Sequence, residues 1–246
     1  MIVVAYLSRA QAHAEAGLGA QATADYQAAI DVASRQLERS PGNARLLYWR
    51  GIARHAVGQS RLALTDYDAS IAADSRNPFA YTNRGILLAV HYGQHERAVQ
   101  EFDRALVLAP RDPDALFNRA IARIRLQQFD GAIDDLNAAI AVRPDDPLAH
   151  YNRAHVYLVR GRYEDAIRDY SAALELKPDF AEARLGLCRA TLLTGAAPGS
   201  ACPVAEQSSS PRQLAQMDSP VDLSAASSPS AAPLDPPFLL PKSVLS

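Results

Sequence analysis

The sequence has few cysteines and no long apolar run. Its only cysteines are Cys188 and Cys202, and no Cys-x-x-Cys or Cys/His spacing surrounds them, so no disulfide framework is expected to determine the fold. No segment approaches the roughly 18 apolar residues that a membrane-spanning helix needs. Residues 2–7 are apolar but short and follow no Lys or Arg, so no secretory signal is expected. These absences predict a cytoplasmic protein without a membrane span.

Charge of one sign is also missing. The formal net charge is −2, and residues 1–194 hold 23 basic and 23 acidic side chains. Without a basic stripe, nucleic acid is not expected as a partner. The chain also has no G-x-S-x-G motif, Gly-rich phosphate loop, H-E-x-x-H motif or EF-hand loop, so the sequence predicts neither an enzyme nor a bound cofactor.

A few carboxylate and histidine clusters could suggest a catalytic or metal site. His91 and His95 are four residues apart, but Gly93 lies between them at an expected helix end and no third ligand is near, so no metal site is predicted. The carboxylate pairs lie at helix boundaries or on helices, where N-capping and solvation explain them better than acid–base catalysis. These pairs are Asp112 with Asp114, Asp134 with Asp135, and Asp145 with Asp146.

A six-residue motif with an acidic first residue and a large apolar second residue occurs five times. The second positions are Tyr26, Tyr67, Phe102, Leu136 and Tyr170, and their numbers rise in steps of 41, 35, 34 and 34. A repeat of about 34 residues is the signature of a stacked array of helical units.

A second motif, such as Tyr151-Asn152-Arg153-Ala154, precedes each of these by about 16 residues, so each repeat should hold two helices. In the last full repeat, Gly161 separates two segments with helical spacing, and Pro178 ends the second one. The chain therefore reads as a series of helix–turn–helix units.

These motifs resemble the tetratricopeptide repeat family over about residues 8–194, in the type with an Asn-Arg-Gly or Asn-Arg-Ala first-helix motif. Small residues stand where two helix backbones must approach closely. They are Gly51, Gly85, Ala120 and Ala154; Ala63, Ala98, Ala132 and Ala166; and Ser70, Ala105, Ala139 and Ala173.

The resemblance implies an all-α, right-handed superhelical solenoid of five repeats, a terminal helix and a disordered tail. The expected parts are an elongated first repeat over 1–42, repeats over 43–77, 78–112, 113–146 and 147–179, a capping helix over 180–194, and the tail over 195–246.

Departures from the repeat pattern give local expectations. The first repeat is seven residues longer in its second helix, and the third has one extra residue near Gly93, so its turn should differ. Cys188 falls at the small-residue position of the capping helix, so we expect a buried small side chain rather than a reactive thiol. The tail is rich in Pro and Ser and cannot build a core. Because the first helix starts almost at Met1, an upstream part is expected to be missing.

One arginine recurs in each first helix, and an acid of the second helix follows it at a nearly constant spacing. This co-spacing predicts structural ion pairs rather than a ladder that binds an acidic ligand. The arginines are Arg9, Arg50, Arg84, Arg119 and Arg153, and the acids are Asp25, Asp66, Glu101, Asp135 and Asp169.

The family resemblance implies that the first helices line a concave groove that binds a peptide. Aromatic residues would anchor the peptide, and the Asn ladder would hold its backbone. The groove residues are expected to be Tyr48, Trp49, Ile52, His55, Asn83, Ile86, Phe117, Asn118, Ile121, Arg125, Tyr151, Asn152, His155 and Leu158.

The sequence thus predicts a non-enzymatic scaffold or adaptor that binds a segment of a partner protein. Two alternatives stay open, a co-chaperone and the repeat region of a larger enzyme. Chaperone-binding members carry a carboxylate clamp with groove lysines, whereas this chain has only Lys177 and Lys242, which disfavours the first alternative. Neither the partner nor the oligomeric state follows from the sequence.

Overall fold

The computed structural model describes residues 2–196 and residue 202, and the described residues are all-α. Eleven helices occur in this part of the chain, confirming the predicted fold class. They are α1 Ile2–Glu15, α2 Gly19–Arg39, α3 Ala44–Ala56, α4 Ser60–Ala73, α5 Pro78–Tyr92, α6 His95–Leu108, α7 Pro113–Arg125, α8 Phe129–Val142, α9 Pro147–Val159, α10 Tyr163–Leu176 and α11 Ala181–Leu193.

The chain divides into two compact units, with the boundary after Ala122 within α7. In unit 1, the helices pack as α1 with α2, α3 with α4, and α5 with α6, and each pair also contacts the next. In unit 2, α9 packs with α10, α8 packs on α9, and α11 packs on α10 and α9. Neighbouring helix pairs thus bury each other's apolar faces, as repeat arrays require.

Helix starts follow from polar residues at the repeat boundaries. The Asn43 and Asn77 side chains accept hydrogen bonds from the backbone N–H of Leu46 and Phe79. Asp146 accepts bonds from the first turn of α9, which begins at a proline. The capping role expected for the acids at these boundaries is therefore confirmed at Asp146.

The turns within pairs need one residue with a left-handed backbone. Gly58 and Gly161 supply it with φ of 78° and 71°, whereas Gln127 takes φ of 57° in the corresponding turn. In the third pair, Gly93 lies in a turn closed from Gln94 N–H to Leu88 C=O, which accommodates the extra residue. The second helix of the first pair has 21 residues against 14 in α4, as predicted.

Close approach explains the glycines of the first helices. A Cβ added at Gly51 would lie 2.7 Å from the Tyr67 ring, and one at Gly85 would lie 2.7 Å from the Phe102 ring. Both rings are fully buried. In both pairs, the small residue of the first helix therefore makes room for the large ring of the second helix.

The described residues do not test the expected repeat boundaries or the expected disorder of the tail. The repeat boundaries stay a prediction, because helix bounds do not assign the turns to either repeat. The tail expected to be disordered lies outside the described residues, apart from 195, 196 and 202. Cys202 is bonded to Cys188. Cys188 is buried as expected, and its bond to Cys202 was not predicted from the sequence.

No helix among the described residues is long and apolar enough to cross a membrane.

Candidate peptide-binding surface

The first helices carry all the residues predicted to line a groove, and the structure divides these residues by exposure. Half of them are buried and half are partly exposed. The buried ones are Tyr48, Trp49, Ile52, His55, Asn83, Ile86 and Leu158; the partly exposed ones are Phe117, Asn118, Ile121, Arg125, Tyr151, Asn152 and His155.

Asn83 illustrates how the buried group is used. Its Nδ2 donates a hydrogen bond to Tyr48 Oη over 3.0 Å, and this bond joins α5 to α3. Both side chains are nearly inaccessible, and burial raises the pKa of Tyr48 well above its usual value. The Asn83 side chain therefore links two first helices. Because it is buried, it is hardly accessible to the backbone of a bound peptide.

The other two asparagines of the predicted ladder are placed differently. Asn118 Nδ2 donates to the Asp114 carbonyl over 2.8 Å, and Asn152 Nδ2 donates to the Leu148 carbonyl over 2.8 Å, each within its own helix. Both side chains are partly exposed. The three asparagines thus do not share one environment, although they share one register position.

His55, at the end of α3, meets His91, at the end of α5. Their Nε2 atoms are 3.3 Å apart and the rings meet edge to face. Burial, together with the positive charge that His91 can carry, lowers the pKa of His55 to about 4. One ring can donate its Nε2–H to the other only while the accepting ring stays neutral.

A cleft opens in unit 1 beside the start of α3. Its volume is about 220 Å³, and it is lined by Ala44, Arg45, Tyr48, Trp49, Asp74, Asn77 and Phe79. The Arg45 guanidinium lies 4.9 Å from the centre of the Trp49 ring and is exposed to solvent. The Asp74 carboxylate pairs with Arg76 at 3.1 Å. The cleft thus presents aromatic walls with an exposed cation at its edge.

Arg45 and Phe79 were missed from the sequence as site residues. The only sequence signal for Arg45 is that it stands four residues before Trp49, which places both side chains on one helix face. Phe79 follows the cap of α5 and lines the cleft because α5 packs on both α4 and α3. No spacing rule within one repeat would have identified it.

In unit 2, Tyr151 packs against aromatic rings of α10 and the turn that follows it. Its ring centre is 4.8 Å from that of Phe180 and 5.8 Å from that of Tyr170. Burial raises the pKa of the Tyr151 hydroxyl. This predicted anchor therefore packs partly in the core, and the residue stays partly exposed.

Two arginines, Arg125 and Arg189, lie near His155 of α9. Burial lowers the pKa of His155, and the charges of Arg189 and Arg125 lower it further. Its Nε2 is buried and has no hydrogen-bond partner among the described residues. Arg189 lies on α11, is exposed, and stands one repeat period after His155, so it occupies the same register position. The sequence analysis missed Arg189, although this spacing could have identified it.

The recurring arginines form the ion pairs that were predicted, and four of these pairs are seen directly. Each acid is buried, and in three of the pairs the guanidinium binds both carboxylate oxygens; for Arg153 the distances are 2.6 and 2.7 Å. The confirmed pairs are Arg9 with Asp25, Arg50 with Asp66, Arg84 with Glu101, and Arg153 with Asp169.

The same arginines also reach backward to the preceding second helix. Each of these bonds runs through Nη1. The bonds join Arg50 to Ser34 at 3.2 Å, and Arg84 to Asp68, Arg119 to Asp103 and Arg153 to Asn137 at 2.7 Å each. The arginines are therefore structural connectors between helices and do not extend toward a ligand.

Comparison with known proteins gives one consistent picture. Three family models, each described as tetratricopeptide repeat, match residues 56–115, 87–151 and 147–180. No curated protein matches the sequence.

Solved structures share the fold at low identity. The crystal structure of MamA is 20% identical, with 68% of this chain and 96% of that chain covered and a TM-score of 0.59. YrrB, described as a TPR protein with an unusual peptide-binding site, is 22% identical over 72% and 88%, with a TM-score of 0.54. TTC0263, a thermophilic TPR protein in Thermus thermophilus, is 25% identical over 74% and 99%, with a TM-score of 0.55.

Proposed function

Because this chain belongs to the tetratricopeptide repeat family, we propose that it is a non-enzymatic scaffold that binds a segment of a partner protein on its first helices. The fold is that of a protein-interaction scaffold, since stacked repeats offer extended binding surfaces. YrrB, with its peptide-binding site, has the same fold and supports this proposal by analogy. A cytoplasmic location and a partner other than nucleic acid belong to the same proposal.

The cleft beside Trp49 carries the proposal. It has room for one apolar or aromatic side chain, and aromatic walls of this kind concentrate binding energy. Arg45 at its edge favours an acidic residue next to that side chain. We therefore assign to unit 1 a partner segment in which an acidic residue neighbours a large apolar one.

The cluster around His155 supports the same preference in unit 2. Arg125 of α7 and Arg189 of α11 lie close enough to His155 for both charges to lower its pKa. An acidic side chain or a terminal carboxylate of the partner would pair with Arg189, which is exposed. The partly exposed predicted residues Tyr151 and Asn152 lie on the same helix as His155 and would contact the neighbouring part of the segment.

The buried predicted residues that do not line the cleft have a narrower role in this proposal. Ile52 and Ile86 pack in the hydrophobic core and would support the binding surface with little direct contact with the partner. Binding to the predicted groove residues as a set stays a prediction.

Trp49 offers a direct test, because it is the only tryptophan of the chain. Peptides selected from a random display library against the full chain should be enriched in acidic residues next to Phe, Tyr, Leu or Trp. A selected peptide without tryptophan should change the Trp49 emission on binding.

Arg45→Glu should weaken that peptide about tenfold, because it reverses the charge at the edge of the cleft. Arg61→Glu is the matched control, since Arg61 is exposed on the second helix α4 and does not line the cleft. Selected peptides that bind both variants equally, and leave the Trp49 emission unchanged, would contradict the assignment of this cleft.

A further inference from the structure

The last helix, α11, corresponds to a first helix, but no second helix follows it among the described residues. In complete pairs, the arginine of the first helix binds an acid of the second helix, and the small residue after it faces a large ring, as Gly51 faces Tyr67. At the equivalent positions, one repeat period after Arg153 and Ala154, α11 has Leu187 and Cys188. The arginine is thus replaced where the described residues offer no second-helix acid for it to bind.

Cys202 lies where a residue of a second helix would pack. It forms a disulfide with Cys188, with a Cα–Cα distance of 5.0 Å. Both cysteines are buried, at 7% and 6% exposure. Their sequence separation of 14 is slightly less than that between Gly51 and Tyr67. Cys202 therefore covers the small-residue position of α11 as a second-helix side chain covers it elsewhere.

We propose that Cys188 and Cys202 are a reversible oxidation site, whose disulfide holds Cys202 against the terminal helix α11. In a compartment with a glutathione pool, such a bond exchanges with low-molecular-weight thiols and disulfides. Oxidation uses one glutathione disulfide. The Cys202 thiolate attacks one of its sulfur atoms and releases a glutathione thiolate, which takes up a proton.

The Cys188 thiolate then attacks Cys202 in the mixed disulfide and releases the second glutathione. Two cysteine thiols thus lose two electrons and two protons, and one glutathione disulfide becomes two glutathione thiols. Reduction runs the same steps backward and frees Cys202 from the face of α11. The terminal helix of a repeat array depends on its cover, so its local opening should respond to this bond.

The test uses the full chain in glutathione buffers of different redox poise. Alkylation of free thiols followed by mass spectrometry should show one intramolecular Cys188–Cys202 link that is lost as the buffer becomes reducing. Closing a loop of this length constrains the open state, so amide hydrogen exchange in α11 should accelerate on the order of 100-fold upon reduction. Exchange in α3, in unit 1, should not change.

Two variants separate loss of the bond from damage to the helix. Cys202→Ser should show fast α11 exchange in every buffer, because no bond can form. Cys188→Ala introduces the residue that stands at the equivalent position 154, and it should also show fast α11 exchange in every buffer. Cysteines that link only different molecules, or α11 exchange that is equal in oxidised and reduced protein, would overturn the proposal.

Discussion

Acid should weaken unit 1 through His55, and the size of the effect follows from the structure. Burial lowers the pKa of His55 to about 4, against 6.5 for an unperturbed imidazole. Above pH 6.5 the ring is neutral in both the folded and the unfolded chain, and its contribution to stability is complete. Between pH 6.5 and pH 4 the unfolded chain takes up a proton that the folded chain does not bind, so stability falls as the pH falls. At about 1.4 kcal/mol per pKa unit, the full loss is about 3.5 kcal/mol, and about 3 kcal/mol of it is reached by pH 4.

Urea unfolding monitored by Trp49 emission measures this loss, because Trp49 lies on the same helix as His55. We expect the free energy of unfolding of the wild type to fall by about 3 kcal/mol between pH 7 and pH 4 relative to His55→Leu, which removes the titrating group. Subtracting the two curves cancels the contributions of the titratable groups that do not contact His55.

His91→Gln is the matched control for the cause of this effect. It removes the charge facing His55 but leaves His55 buried, and burial is the larger of the two causes. Most of the pH dependence should therefore remain in His91→Gln. Identical slopes for the wild type and His55→Leu between pH 6.5 and pH 4 would show that His55 takes up its proton over the same pH range in the folded and the unfolded chain, and would refute this reasoning.

Three further predictions concern packing, turns and ion pairs. Gly85→Ala should lower the free energy of unfolding by about 1–3 kcal/mol, because its Cβ would lie 2.7 Å from the Phe102 ring; Gly42→Ala, with open space at its Cβ, should change it by less than about 0.5 kcal/mol. Gln127→Gly should raise it by about 1 kcal/mol, since the left-handed backbone at φ of 57° disfavours a side chain; an unchanged urea midpoint would contradict this. Asp66→Ala should lower it by about 3 kcal/mol, because two arginines lose their buried partner; a thermal melt equal to that of the wild type would refute a structural role.

The paired-helix fold and the ion pairs could be predicted because both are repeated along the chain. The spacing of Arg153 and Asp169 recurs, to within one residue, in every repeat, and the physical requirement behind it, a partner for a buried acid, is the same each time. The 21-residue length of α2 followed from counting alone.

The roles of individual surface residues could not be predicted in the same way. Asn83, Asn118 and Asn152 share a register position, yet Asn83 is buried because Tyr48 reaches it from the preceding first helix. Phe117, the aromatic nearest to Asn118 in the sequence, is partly exposed. Burial depends on which side chain the neighbouring repeat presents, and the spacing within one repeat does not contain that information.

The disulfide was missed for a related reason. Cys202 lies in a stretch rich in Ser, Pro and Ala that has no periodic pattern, so nothing in its own surroundings places it against α11. The sequence signal lay beside Cys188, where Leu187 stands at the position that arginine occupies in the complete pairs. This substitution shows that α11 differs from the other first helices. The disulfide was thus better indicated by the missing arginine in α11 than by the residues around Cys202.

Arg84 and Arg153 each bind the second helix of their own pair and that of the preceding pair, and this limits how the number of repeats can change. Arg84 binds Glu101 of its own pair and Asp68 of the pair before it, and Arg153 binds Asp169 and Asn137 in the same way. A deletion or duplication that begins and ends at equivalent positions replaces each lost partner with one of the same kind. A deletion that removes an arginine but keeps its acid leaves a buried carboxylate without its cation. The number of helix pairs can therefore change without this loss only in whole repeats, whereas insertions in a turn or at a helix end, as in α2, keep the pairs intact.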